Sequence, residues 1–225
     1  WGSRIITETT PFFYQFHSFM GTNFNGSAVK TQPKAINSLL WDALPATDIR
    51  KKCWIQNGTL ATVQAGIPWN PAPAGNGYSY IQYHMKKFWL SDLTANVGDV
   101  PMMRVAEMYL IEAEARARQG GQDVAARAAL FSLLTNRNPS YVLSTNSGQA
   151  LIDEIMLHRR VELWGEGFRF TDLKRLNSDL NRTIVPNTAP TISVTMNLPA
   201  GDKLWIWLFP QDEINNNPTI IQNPL

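Results

Sequence analysis

The stretch "IMLHRRVELWGEGFRFTDLKR", Ile155 to Arg175, sets two adjacent arginines beside Glu-Leu-Trp, breaks at Gly165-Glu166-Gly167, and resumes as a charged aromatic run. Read outward from here, Ile152, Ile155, Met156, Arg159 and Leu163 fall at helical steps, so Arg159 lies on the apolar stripe of a helix. On an upstream helix Glu107, Leu110 and Glu114 share a stripe in the same way. A charge on a packed face is costly unless paired, which predicts a structural ion pair of Arg159 with Glu107 or Glu114 between helices. The competing readings are that these groups are solvated, as helix-surface charges usually are, or that Glu162 and Glu166 form a general acid and base pair. Two nearby carboxylates occur on almost any charged helix, so the catalytic signal is weak.

The neighbouring segments extend the helical reading. "PMMRVAEMYLIEAEARARQGG" (Pro101–Gly121) opens with Pro at a first helical position and ends on Gly120-Gly121. Met102, Val105, Ala106, Tyr109 and Ala113 recur at three- and four-residue steps, and Glu114–Arg118 is a supportive i,i+4 pair. A second helix, "DVAARAALFSLLTNR" (Asp123–Arg137), follows a very short turn and must lie antiparallel to the first. Asn146 with Gln149 gives a box-like start to a third helix running to Trp164, and Phe168–Asn177 reads as a fourth. Two successive helical hairpins resemble a tetratricopeptide arrangement, although the 34-residue consensus is absent. Beyond Thr183, alternating Ile192, Val194, Met196 and Leu198, a "PAGD" turn and "KLWIWLF" suggest a β-hairpin with a buried second strand. Trp164, Trp205 and Trp207 are expected in the core, and the polar tail is expected to wrap without forming an element.

The fold class is therefore mainly α: helical hairpins with long irregular loops and a small β-hairpin. Three regions follow within one domain: a loop-rich aromatic region 1–100, the hairpins 101–180, and the β-hairpin with its C-terminal wrap 181–225. In the first region only "PKAINSLLWDAL" (Pro33–Leu44) reads as a short helix.

Composition narrows the function. The chain has 225 residues, 44% of them hydrophobic, enough for a proper core. A formal charge of +2 is too small for a nucleic-acid face, and "RKKCW" and "MKKFW" read as solvated faces beside packed aromatics. One cysteine, Cys53, and three scattered histidines give neither a disulfide framework nor zinc-type spacing, so no metal or cofactor is implied. No apolar run approaches bilayer length, and no secretion signal is visible.

Three segments, "RVAEMYLIEAEARARQGG" (Arg104–Gly121), "HRRVELWGEGFRFTDLKR" (His158–Arg175) and "LFPQDEINNNPTIIQNP" (Leu208–Pro224), resemble consecutive landmarks of the SusD/RagB family, in the family's order. "WDALPATDIRKKCW" (Trp41–Trp54) also fits an upstream element, with Asp48 and Arg50 as its Asp-x-Arg. The match covers most of residues 33–225. His158 departs from it, standing where an acidic residue is usual. Family members are about twice as long and begin with a lipoprotein signal and lipidated cysteine, so this chain is similar to the C-terminal half. The resemblance implies a non-catalytic, surface-exposed outer-membrane lipoprotein of Bacteroidetes-type bacteria. Such a protein captures glycans, or peptides in the RagB-type branch, and delivers them to a SusC-like TonB-dependent transporter; its anchor would lie outside this chain. A helical-repeat adaptor and a glycoside hydrolase are the remaining alternatives.

The resemblance also implies aromatic ligand platforms on loops. Sugar rings present C–H faces edged by hydroxyls, which flat aromatics with amide neighbours recognise. Two loops have that mixture: Tyr14, His17 and Phe24 among Asn23 and Asn25, and Trp69, Tyr78 and Tyr80 among Asn70 and Asn76. The Asn23–Asn25 neighbourhood is the first choice. The competing expectation is that such aromatics are core.

Overall fold

The computed structural model describes residues 2–3, 16–24, 26–66, 79–90, 97–187 and 195–224. The chain divides into two compact units, Trp1–Glu166 and Gly167–Leu225. The first begins with β1 (Gly2–Ser3), α1 (Phe16–Met20), α2 (Ser27–Thr31), α3 (Ser38–Asp42), a 3₁₀ turn (Ile49–Cys53), β2 (Trp54–Ile55), α4 (Leu60–Gln64), β3 (His84–Met85) and β4 (Val100–Pro101). It ends with the three long helices α5 (Val105–Gln119), α6 (Asp123–Leu134) and α7 (Gly148–Glu162). The second unit holds α8 (Phe168–Arg175), β5 (Leu180–Asn181), β6 (Asn197–Leu198), a 3₁₀ turn (Lys203–Trp205) and α9 (Gln211–Asn216). Strands among the described residues are antiparallel two-residue pairings, β1 with β4, β2 with β3, and β5 with β6, so the fold is mainly α.

The α5–α6 hairpin forms as its glycines require. Gly120 and Gly121 sit at φ +74° and +67°, a region costly to any residue with a Cβ, and α6 starts after one further residue. Helix α5 packs against both α6 and α7. Its buried line runs through Ala106, Leu110, Ala113 and Ala117, while Met102, Val105 and Tyr109 of the expected stripe face solvent. The rotation has a packing cause: alanine lets helix backbones approach closely, and α6 answers with buried Ala126 and Ala129. Pro101 does not open the helix; it lies in β4 opposite Gly2. On α7, Ile155, Arg159 and Leu163 are buried as the stripe predicted. The box at its start does not form, because the Asn146 amide donates to Glu154 (2.8 Å) and Ser147 occupies the cap position.

A core of Ile36, Leu40, Leu44, Trp54, Met85, Phe88 and Val161 fills the first unit beside these helices. Asn37 caps α3 by accepting the Leu39 N–H (2.9 Å), which shortens the helix expected from Pro33. Trp164 meets Trp54 edge to face at 5.8 Å. Immediately after it Gly165 adopts φ +77°, and a Cβ there would lie 2.8 Å from Phe88 Cε2 and from Met20 Cε. The glycine thus supplies both the turn and the space that let the chain leave α7 against this core.

In the second unit the expected hairpin is replaced by a different pairing. Strand β6 pairs with β5, Leu198 opposite Leu180, and "KLWIWLF" forms no strand. The Asp202 side chain accepts the Leu204 N–H (2.8 Å) and the Trp205 indole donates to the Pro199 carbonyl (2.7 Å), curling the chain so that Trp205 joins Leu173 and Leu198 in a small core. Trp207, expected inside, is 78% exposed, and the tail contributes the short helix α9. No helix among the described residues is long and apolar enough to cross a membrane.

Candidate functional site

His158, Glu162 and Glu166 of the opening stretch belong to a buried network. Asp48 starts the first 3₁₀ turn by accepting the Arg50 N–H (2.9 Å), and its carboxylate also takes Arg50 Nε (3.0 Å) and Nη2 (2.6 Å). Arg50 continues to Glu162 Oε2 (3.4 Å) and donates to His158 Nδ1 (3.0 Å). Glu162 further accepts Arg104 Nη1 (2.9 Å) and Arg137 Nη2 (3.0 Å). Glu166 accepts Arg104 Nε (2.9 Å) and is paired with Lys87, whose ammonium also donates to the carbonyls of Glu162 (2.8 Å) and Trp164 (2.9 Å). Four cations thus surround three carboxylates, drawn from segments far apart in sequence.

The electrostatics settle what these groups can do. Burial alone would raise the Glu162 carboxyl, but the hydrogen bonds and charges of Arg137 and Arg104 outweigh it and hold the group at about 2. Burial, assisted by Arg50, lowers the His158 imidazole to about 4. Glu162 is therefore ionised at neutral pH with no proton to donate, and Glu166 lies buried under Arg104 and Lys87. The pair has the geometry of a structural clamp, in which carboxylates are saturated by cations, rather than of a general acid and base.

The expected ligand residues divide sharply. Asn23 and Phe24 are fully buried, 0% exposed. The Asn23 carbonyl oxygen accepts the Leu90 N–H (2.7 Å), and Phe24 packs with Val29 and Leu90. This first-choice locus is a core contact, because the Asn23 amide completes the backbone bonding of Leu90 and draws the next ring inward. His17 is buried as well, its ring 3.0 Å from where a Cβ on Gly98 would stand. Tyr80 is half-buried and stacks against His84 at 6.1 Å. Tyr14, Asn25, Trp69 and Tyr78 lie outside the described residues. Arg159, Glu107 and Glu114 are all buried, and Glu114 takes Arg118 one turn later (2.7 Å).

A different aromatic faces solvent. Trp89 is 50% exposed and lines an open cleft of about 510 Å³ with His17, Lys87, Phe88 and Asp99. In "MKKFW" Phe88 is packed and Trp89 is not, the alternation expected of an extended segment with one face buried. That alternation was available in the sequence, but nothing local told which of the two rings would turn outward. The cleft offers an indole face with a carboxylate and a buried imidazole nearby, the combination suited to a ring with C–H faces and hydroxyl edges. In the second unit Trp207 is exposed beside Phe170, edge to face at 6.4 Å. Among the described residues no group of His, Cys, Asp and Glu side chains could hold a metal ion.

The model of the SusD family matches residues 13–225. A SusD-like carbohydrate binding protein from Bacteroides vulgatus superposes with a TM-score of 0.69 at 24% identity, over 98% of this chain and 47% of its own. A SusD homolog from Bacteroides thetaiotaomicron gives 0.65 at 24% identity, over 98% and 45%. Surface glycan-binding protein A from Bacteroides uniformis gives 0.56 at 16% identity, over 99% and 48%. The chain thus spans a little under half the length of these relatives, and the likeness is one of fold. Among curated proteins none matches.

Proposed function

The chain belongs to the SusD family, and from that premise we propose that it is a non-catalytic glycan-binding protein of a Bacteroidetes cell surface. In this reading it is held at the outer membrane by a lipid anchor outside these residues, and it passes oligosaccharides to a SusC-like TonB-dependent transporter. The observation that carries the proposal is the family match over residues 13–225. Two features support it. The carboxylate pair that a glycosidase would need is occupied by arginines and a lysine. Trp89 presents a half-exposed indole on an open cleft, with Tyr14, Trp69, Tyr78 and Tyr80 as further proposed aromatic contacts.

The test is depletion of the protein from solution by insoluble polysaccharides. The intact chain is expected to be retained by at least one of them. A stacked ring contributes about 0.5–1.5 kcal/mol, so Trp89→Ala should weaken retention about tenfold while leaving thermal unfolding unchanged. Retention by none of the polysaccharides, together with capture of peptides, would instead support the RagB-type reading.

We further propose that Arg159 locks α7 to α5 through Glu114 or Glu107, three buried charges on the two facing helices. A double-mutant cycle of Arg159→Met with Glu114→Gln, repeated with Glu107→Gln, should return a coupling above about 1 kcal/mol for one of the two pairs. Additivity of both cycles rejects the lock.

A further inference from the structure

A second cavity, of about 370 Å³, opens where the end of α3 and the first 3₁₀ turn meet the α6–α7 connection. Its walls carry two chemistries. Pro45, Leu134 and Leu157 supply apolar surface, and His158, Asn138 and Glu154 supply polar groups. His158 is more than nine-tenths buried, and Arg50 fixes its tautomer. A guanidinium only donates, so His158 Nδ1 must accept, and the proton sits on Nε2. That N–H has no acceptor among the described residues. Asn138 is similar: its oxygen accepts the Ser140 N–H (3.0 Å), leaving the amide nitrogen without a partner among the described residues.

Part of the same lining is held in place by hydrogen bonds, for Glu154 stands one turn before His158 on α7. Glu154 accepts the Tyr141 hydroxyl (2.8 Å), the Ser144 hydroxyl (2.5 Å) and the Asn146 amide (2.8 Å), so one carboxylate ties three residues of the α6–α7 connection to α7. The charges sort the possible ligands. Asp48 is answered by Arg50, the imidazole is neutral, and Glu154 leaves the lining with an anionic bias. An anion is disfavoured there, whereas two free donors and apolar walls suit a neutral molecule with oxygen acceptors. The volume falls at the lower end of ligand cavities, about 300–1,000 Å³, which admits a ring or two and no polymer.

We propose that this cavity binds one neutral hydroxylated ring, a monosaccharide or the end residue of a short oligosaccharide. Its hydroxyl oxygens accept from His158 Nε2–H and from Asn138, and its C–H face rests on Pro45, Leu134 and Leu157. The inference rests on the glycan-binding reading for its ligand class, but it concerns residues separate from the Trp89 cleft.

The experiment follows the imidazole nitrogen resonances of His158 in the intact chain during titration with D-glucose, D-galactose and D-mannose, in parallel with polysaccharide depletion. At least one hexose should shift the His158 Nε2 resonance saturably. Two variants should abolish hexose binding without unfolding the chain, read by titration calorimetry because His158→Glu removes the imidazole reporter. His158→Glu keeps a partner for Arg50 but replaces the donor with a carboxylate, and Ala43→Trp fills the mouth from an exposed position. Ala43→Trp should leave polysaccharide retention as it is, and Trp89→Ala should leave the hexose response as it is. If polysaccharides retain the protein and no hexose moves His158, the cavity proposal is overturned while the glycan-binding reading stands. A hexose response in a protein that retains no polysaccharide sustains the cavity and removes the broader reading. Hexose binding that survives both His158→Glu and Ala43→Trp places the ring elsewhere and also overturns the proposal.

Discussion

Replacing Glu162 by leucine is expected to destabilise the protein by about 3–5 kcal/mol, the range observed when one member of a buried ionic group is removed. The carboxylate is almost fully enclosed and receives Arg50, Arg104 and Arg137. Leucine fills a comparable volume but leaves three guanidiniums with less compensation, and guanidinium cannot escape by losing its proton. Glu162→Gln retains one acceptor and should fall between leucine and the wild type. The control is Glu112→Ala, which removes an exposed partner of Arg116 (2.9 Å) and should change stability by no more than about 0.5 kcal/mol. Urea unfolding decides the matter: a Glu162→Leu protein within about 1 kcal/mol of wild type would show that the network contributes little. Because the loss is structural, Glu162→Gln should leave glycan retention intact wherever the variant is folded, and neither it nor the wild type should release reducing sugar, which separates this role from a catalytic one.

The same residue shows where sequence reading succeeds and where it stops. Helical periodicity placed Arg159, Glu107 and Glu114 on buried faces, since burial along a helix depends on spacing within a few turns. The two glycines ending α5 were legible for the same reason: a positive φ is a local demand. Partners were not. Glu162 meets residues 25, 58 and 112 positions away, and no local pattern encodes that choice. Asn23 and Phe24 failed similarly, because the Asn23 side chain bonds Leu90, 67 residues on, and an asparagine beside an aromatic reads alike whether it faces a sugar or a backbone amide. "KLWIWLF" reads as a buried strand from its dense apolar alternation, an inference that holds only when a partner strand exists. Here Asp202 capped a 3₁₀ turn and β6 took β5 instead. Trp207 and Trp89 both turn outward, one from a supposed core and the other from a supposed packed cluster.

Acidification should remove several kcal/mol of stability between pH 7 and pH 4, before most carboxylates titrate. Burial holds His84 at about 4, and burial with Arg50 does the same for His158; His17 is lowered by burial against the opposing pull of Asp99. All three histidines of the chain are thus harder to protonate folded than unfolded. As pH falls below about 6.5 the unfolded chain takes up protons that the fold refuses, so stability declines until the folded values near 4 are passed. At about 1.4 kcal/mol per pKa unit, His84 and His158 each contribute on the order of 3 kcal/mol to that decline. His158 faces Arg50, Asp48, Glu154 and Glu162, and its protonation would set a second cation against Arg50. Glu162 acts in a lower window. Its folded value, about 2, lies below the ordinary carboxylate value, so its contribution is present above about 4.5 and fades as pH falls towards 2. Urea-derived stabilities at pH 7, 5.5, 4 and 2.5 should fall steadily in the wild type. His158→Gln should flatten the upper window by about half, and Glu162→Gln should flatten only the lower one. A wild-type profile level from pH 7 to pH 4.5 would mean that the buried imidazoles are open to water, and with them the wall of the cavity that His158 lines.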